Sequence, residues 1–279
     1  MRFPIFNRRS AISILSACSA GYLTDRSLFA DTPASDNETP RGFAVVELFT
    51  SQGCSSCPPA DRVLQDVQTV ANERGWPVHV LSYHVDYWNR LGWRDPYSDP
   101  AWSERQRRYA RRLQSNRVYT PQMIVNGTDA FVGSDRRQTI EAINRGLSSS
   151  TGVELSTRIA KPIAKHSLAP AHAKIDLRLR GNKQPLEVHA AMVTSPSPND
   201  VPRGENAGRS LRHVHVVNSF RTETLPSGTH HLDLDIDERV IADRGRLIVM
   251  AQEPKTLQIV AATEQPLFDT ADESDETPQ

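Results

Sequence analysis

The chain has 279 residues, 38% of them apolar, and its 33 basic and 33 acidic residues cancel to a net charge of zero. That balance argues against nucleic acid as a partner, and no apolar run is long enough to span a bilayer of about 30 Å as a helix. Only three cysteines are present, one of them close to the N-terminus, so the folded part can close a single intramolecular disulfide.

Residues 1–30 have the pattern of an export signal: Arg2, Arg8 and Arg9 precede an apolar stretch over 11–23. Three kinds of leader fit. Arg8-Arg9 partly resembles a twin-arginine signal, Leu15-Ser16-Ala17-Cys18 resembles a lipobox whose Cys18 would carry a lipid anchor, and an ordinary leader would be cut near Ala30. Each predicts a secreted or periplasmic protein, in a compartment where disulfides persist, with no transmembrane segment in the mature chain. Residues 31–41 are polar with two prolines and read as a linker.

The first folded segment is expected over 42–150. Residues 44–49 are β-branched and apolar, suited to a buried strand, and 50–53 are turn-forming. From Cys57 onward Val63, Leu64, Val67 and Val70 recur at helical spacing, behind Pro58 and Pro59 at first-turn positions. Cys54 and Cys57 therefore fall at a helix start, three residues apart and on one face, where a disulfide closes without distorting the backbone. The unpaired N–H groups there favour thiolate, which makes Cys54 the candidate nucleophile and Cys57 the resolving thiol. A structural staple is the weaker alternative, because so short a loop removes little unfolded-chain entropy. Zinc is weaker too, since His79 and His84 lie five apart in a strand and point to opposite faces.

A second strand over 78–84 leads into a turn-rich stretch dense in aromatics: Tyr83, Tyr87, Trp88, Trp93, Tyr97 and Trp102. These fit either added core or a lid beside Cys54 that contacts clients. His84 and Asp86 leave the second strand on the edge where the dithiol should lie, and are candidates for substrate contact or proton transfer. A helix capped by Ser98 or Asp99 runs to about Gln114, with its arginines expected on a solvated face. The strand 122–125, an Asn126-Gly127 turn, a returning strand at 130–132 and a helix capped by Ser134 complete the order β-α-β-α-β-β-α.

The CxxC at a helix start, the Thr120-Pro121 dipeptide and the terminal ββα unit resemble the thioredoxin fold in its shorter, glutaredoxin-like form. The resemblance implies that Pro121 is a cis-proline facing the dithiol, that Thr120 contacts substrate polypeptide, and that Glu47 is a buried acid serving the resolving thiol. The family pattern is broken at Gly53, where an aromatic is usual, and at Ser55-Ser56 between the cysteines. ELFTSQGCSSCPPAD, YHVDYWNRLGWRDP, YTPQMIVNG and GENAGRSLRHVHVV look like motifs of a secreted bacterial family, domain of unknown function 1223 (DUF1223), over roughly residues 43–263.

From residue 151 to 268 seven short alternating runs argue for an all-β antiparallel sandwich. Aspartates alternating over 231–237 would line one wet strand face and not surround calcium, and His213 and His215, two apart on one face, could suit copper or zinc but read better as a solvent-facing pair. The loop 195–209 is long enough to suggest function, and Glu205, Asn206 and Arg209 within it are candidate ligand or substrate contacts reaching the dithiol face. Residues 269–279 form an acidic tail with the composition of disorder.

The expected activity is thiol–disulfide exchange on protein thiols and disulfides of the cell envelope, with Cys54–Cys57 as the redox group and no metal or organic cofactor. The alternatives are a non-catalytic envelope binding module and a copper-handling protein using the same two thiols.

Overall fold

A computed structural model describes residues 40–115, 117–159, 171–243 and 245–268. The export signal with Cys18, nearly all of the linker and the acidic tail lie outside the described residues.

Strand β1 (Ala44–Thr50) and strand β2 (Val78–His84) are buried along their whole lengths, as apolar strands covered on both faces are. They pair in parallel, from Ala44 opposite Val78 to Thr50 opposite His84. A parallel pair needs a crossover, supplied by helix α1 (Pro58–Arg74). Two prolines fill its first turn, where N–H groups lack intrahelical partners anyway, and Gly75 ends it at φ 63°. After a 3-10 turn (Asn89–Leu91), helix α2 (Pro100–Arg112) is capped by Asp99, which accepts from the Ala101 N–H. Strands β3 (Gln122–Val125) and β4 (Asp129–Val132) form a hairpin. Gly127 in its loop has φ 76°, and a Cβ there would stand 1.8 Å from the Leu257 carbonyl oxygen. Helix α3 (Arg136–Ser148) is capped not by Ser134 but by Asp135, whose side chain is the one that reaches the Gln138 N–H.

All seven strands expected in the second half form: β5 (Glu154–Ile159), β6 (Ala171–Arg180), β7 (Leu186–Thr194), β10 (Val216–Leu225), β11 (Gly228–Ile236), β12 (Arg246–Gln252) and β13 (Ile259–Pro266). Between β7 and β10 lie two short strands not foreseen, β8 (Asn199–Val201) and β9 (Arg209–Leu211), which pair only with each other. A short helix, α4 (Glu238–Ala242), also interrupts the run.

The two halves share a sheet. Eight strands run in the order β13-β12-β7-β10-β2-β1-β3-β4. The join is a parallel bridge between β10 and β2, with Val216 opposite Ser82 and the Ser82 N–H donated to the His215 carbonyl at 2.9 Å. Four of the strands expected in a separate layered unit thus extend the first half's sheet, because the outer edge of buried β2 requires a partner. The other three form a second sheet, β11-β6-β5. Its inward residues Ile175, Leu177 and Leu234 pack against Val188, Val249 and Val260 of the large sheet. A second apolar core fills the space between the large sheet and α2, around Phe49, Tyr83, Trp102 and Tyr109. The architecture is therefore mixed α/β, with one large sheet and few helices.

Candidate functional site

The turn joining β1 to α1 carries Cys54 and Cys57, which form a disulfide with their Cα atoms 5.4 Å apart. The turn is built from its own backbone: the Cys54 N–H is donated to the Ser51 carbonyl at 3.1 Å, and the Cys57 N–H to the Cys54 carbonyl at 3.2 Å. The Cys57 carbonyl then receives the N–H groups of Ala60 and Asp61, starting the helical ladder. Cys54 Sγ lies 3.4 Å from the Ser56 hydroxyl oxygen. Ser55 and Ser56 are exposed, yet both cysteines are 0% exposed.

The Thr120–Pro121 peptide bond is cis, the geometry that the resemblance implies. Pro121 reaches the α1 side of the sheet through Gly133: a Cβ on that glycine would stand 2.8 Å from Leu48 Cδ1, 3.1 Å from Ala60 Cβ and 3.3 Å from Pro121 Cβ. Trp88 spans the gap between this proline and the disulfide turn. Its indole N–H is donated to Thr120 Oγ1 at 2.7 Å, while its Cβ would be 3.2 Å from a Cβ on Gly53. The aromatic insert divides its labour. Tyr83 and Trp102 enter the core beside Phe49 and Phe220, whereas Trp88 and Trp93 face the turn, Trp93 donating to the Gln52 side-chain carbonyl at 3.1 Å.

Glu205, Asn206 and Arg209 do reach the dithiol face. The Asn206 amide donates to the carbonyls of Gln52 and Cys54, at 2.9 and 2.8 Å. Glu205 accepts the Ser55 N–H at 3.0 Å, and this bond holds its carboxyl below the usual range. Arg209 donates to the Asn206 side-chain carbonyl at 2.9 Å and so fixes which way the amide faces.

Two expected site residues turn elsewhere. Glu47 shares β1 with Leu48, and strand alternation sends the two to opposite faces. Leu48 meets Ala60 of α1 through Gly133, while Glu47 accepts from Arg105 Nε at 2.7 Å and from the Tyr109 hydroxyl on α2. The expected proton role at Cys57 is thus corrected: this carboxylate faces away from α1 and neutralises Arg105, which is buried and not on the solvated face. Asp86 is bound to Ser103 of α2.

His84 is inside, 2.7 Å from Asp95, with neither side chain exposed. Burial works to lower the His84 pKa, but the Asp95 charge and hydrogen bond outweigh it and hold it above the usual value. Burial likewise works against the Asp95 charge, but His84 and the N–H groups of Gln52 and Tyr97 hold that carboxyl low. Asp95 accepts the Gln52 N–H at 2.8 Å, so the pair positions the residue two before Cys54. The His84 ring stands edge-on to His213 with centroids 4.5 Å apart. His213 Nε2 lies 3.3 Å from Gln52 Nε2, and its Nδ1 lies 3.6 Å from Asp61, which also accepts from Thr50 Oγ1.

Asp61, Asp95, Gln52 and His213 were not singled out together from sequence. Asp61 carried a signal, standing four residues after Cys57 on the same helical face. His213 was noticed only for its neighbour His215, since the residues it meets in the fold are remote in sequence. It and His215 are buried and separate, not a solvent-facing pair: residues 212–215 are irregular, and His215 has φ 45° with Nδ1 3.1 Å from the Val80 carbonyl. Among the described residues no three His, Cys, Asp or Glu side chains gather as metal ligands, and no helix is long and apolar enough to cross a membrane.

Fold and site together define a mixed α/β protein with a disulfide at the start of its first helix. The family model described as Protein of unknown function (DUF1223) matches residues 45–252, and the chain belongs to that family. Among solved structures it is similar to protein AGR_C_4864 from Agrobacterium tumefaciens at 30% identity, covering 84% of this chain and 97% of that one with a TM-score of 0.60. It also resembles HBP35 of Porphyromonas gingivalis in fold, at 15% identity over 87% of this chain and 80% of that one, with a TM-score of 0.60. No curated protein gives a significant match.

Proposed function

We propose that the protein is a thiol–disulfide oxidoreductase with a thioredoxin-like N-terminal half, acting on protein thiols and disulfides outside the cytoplasm. The observation that carries this is the Cys54–Cys57 disulfide at the N-terminus of α1. The helix's unpaired N–H groups favour a thiolate there, and exchange needs no metal or organic cofactor. In the oxidising direction a client thiolate attacks Cys54 Sγ, the S–S bond breaks, and Cys57 leaves as thiolate. A second client thiol then attacks the client sulfur of the mixed disulfide and releases Cys54. The client loses two electrons, the pair gains them, and the two client protons end on the cysteines. The reduced pair runs the same steps backwards on a client disulfide.

Around this chemistry Thr120, with cis Pro121, is the backbone contact for the client, and Trp88, tied to Thr120, is the apolar wall beside it. The His84–Asp95 pair serves through its hold on Gln52. Cys57→Ser should trap a mixed disulfide between Cys54 and a partner, detectable as a reducible higher-mass band in envelope extracts, while Cys54→Ser should trap none. A second reading, a non-catalytic envelope module, draws on the complete burial of both cysteines. It predicts no trapped partner and a Cys54 pKa in the reduced protein near the free-thiol value of about 8.5, measured by thiolate absorbance.

A further inference from the structure

Exchange requires an attacking sulfur to approach Cys54 along the S–S axis, but both cysteines are wholly buried while the two serines between them are exposed. What lies on the turn is the β8–β9 hairpin. We infer that this hairpin, residues 199–211, is an autoinhibitory lid over the disulfide, and that it must lift before any thiol reaches Cys54; the inference rests on the oxidoreductase reading.

The hairpin is fastened to the turn by polar bonds from Asn199, Glu205 and Asn206. Asn199 and Gln52 bond through both halves of their amides, at 2.7 and 3.2 Å. Asn206, itself 0% exposed, bridges the Gln52 and Cys54 carbonyls, Glu205 holds the Ser55 N–H, and Arg209 orients Asn206. Gly204 passes close under Trp93: a Cβ on it would stand 3.2 Å from the tryptophan Cβ, and its φ is 79°.

The same hairpin is weakly anchored to the rest of the fold. Its strands are three residues each and join neither sheet. Such isolated two-stranded ribbons are marginal in water. Pro202, Arg203, Ala207, Gly208 and Ser210 are exposed, and the hairpin's buried apolar side chains are two, Val201 and Leu211, one at each end of the ribbon. Segments with these properties open locally without global unfolding. Besides the Gln52 side-chain amide, the groups the lid satisfies are backbone groups, two carbonyls and one N–H. An extended client polypeptide carries amide N–H and C=O groups able to replace Asn206 and Glu205 on them, so client binding and lid release can be one exchange.

The test is the rate at which dithiothreitol reduces the disulfide in the full-length oxidised protein, followed by acid quenching and alkylation of the freed thiols. Dithiothreitol is oxidised to its cyclic disulfide, and Cys54 and Cys57 each become a thiol. In the native protein the rate should level off with rising dithiothreitol, because opening becomes limiting. Asn206→Ala should raise the rate at low dithiothreitol by about tenfold, the consequence of losing hydrogen bonds that only the closed state makes. Glu205→Ala, whose side chain is exposed, keeps the fold intact and should raise it by a smaller factor. A native rate that climbs linearly to that of the guanidinium-unfolded chain, with neither variant faster, would overturn the lid. Faster variants combined with no partner trapped by Cys57→Ser would instead overturn the oxidoreductase reading and leave the lid standing.

Discussion

His84 Nδ1 stands 2.7 Å from Asp95 Oδ2, and neither side chain is exposed. Asp95→Asn removes the charge that raises this histidine's pKa and weakens the acceptor for the Gln52 N–H. Breaking one side of a buried charge pair costs about 3–5 kcal/mol, so the unfolding free energy read from urea titration should fall by an amount of that order. A raised histidine pKa contributes stability that is complete below its unfolded value, near 6.5, and is lost as pH rises through the higher folded value. As pH rises past about 6.5 the native protein should therefore lose stability more steeply than Asp95→Asn. Parallel pH profiles would show that Asp95 does not raise the His84 pKa.

Glu264 lies 3.0 Å from His79 Nδ1 and bonds Arg246, tying β13 to β2. Burial opposes its charge, but the His79 hydrogen bond and the neighbouring cations bring its pKa down to about 2. A depressed carboxyl contributes stability that is complete above its unfolded value, about 4.3, and that vanishes as pH falls through the folded one. The size is on the order of 3 kcal/mol. Glu264→Gln should be less stable by that order at neutral pH and show a flatter loss in acid, read from urea midpoints. Identical acid limbs in the two proteins would contradict the assignment.

Arg105 and Glu47 are a buried pair inside the aromatic core, with Arg105 also 5.0 Å from the Phe220 ring centroid. Arg105→Met alone strands the carboxylate and should cost about 3–5 kcal/mol, while Arg105→Met with Glu47→Leu should recover most of that loss. Thermal or urea unfolding of the four proteins in the cycle reads the coupling. Additive losses would mean that the two residues act independently.

Gly133→Ala inserts a methyl group 2.8 Å from Leu48 Cδ1 and 3.3 Å from Pro121 Cβ. Overpacking of this kind costs about 1–3 kcal/mol, and the strain falls between Pro121 and the first turn of α1. Lower stability together with altered thiol-exchange kinetics is expected. A variant as stable as the parent would mean that the sheet yields there freely.

The parts of the fold that could be read from sequence are those whose signals are local. Pro58, Pro59 and Gly75 bracket α1, Asp99 and Pro100 open α2, and Asn126-Gly127 turns the β3–β4 hairpin. Length alone pointed to the 195–209 loop, and its Asn206 meets the disulfide turn. What sequence did not reveal are pairings between distant positions. Arg105 looked like surface because Glu47, its partner, sits far back on β1. His213 looked like half of an exposed pair because Gln52, Asp61 and His84 surround it only after folding. β8 and β9 themselves went unread, since three-residue strands leave no periodicity to detect.

The bridge from Val216 to Ser82 has a consequence for how the chain can be cut and how it is made. A fragment ending at residue 150 would carry the cysteine turn and the cis proline, yet it would leave β2 as an open margin of apolar backbone, a template for pairing with other chains. On the ribosome the same margin stays bare until β10 has been synthesised, so the nascent N-terminal half needs shielding that the finished protein supplies for itself.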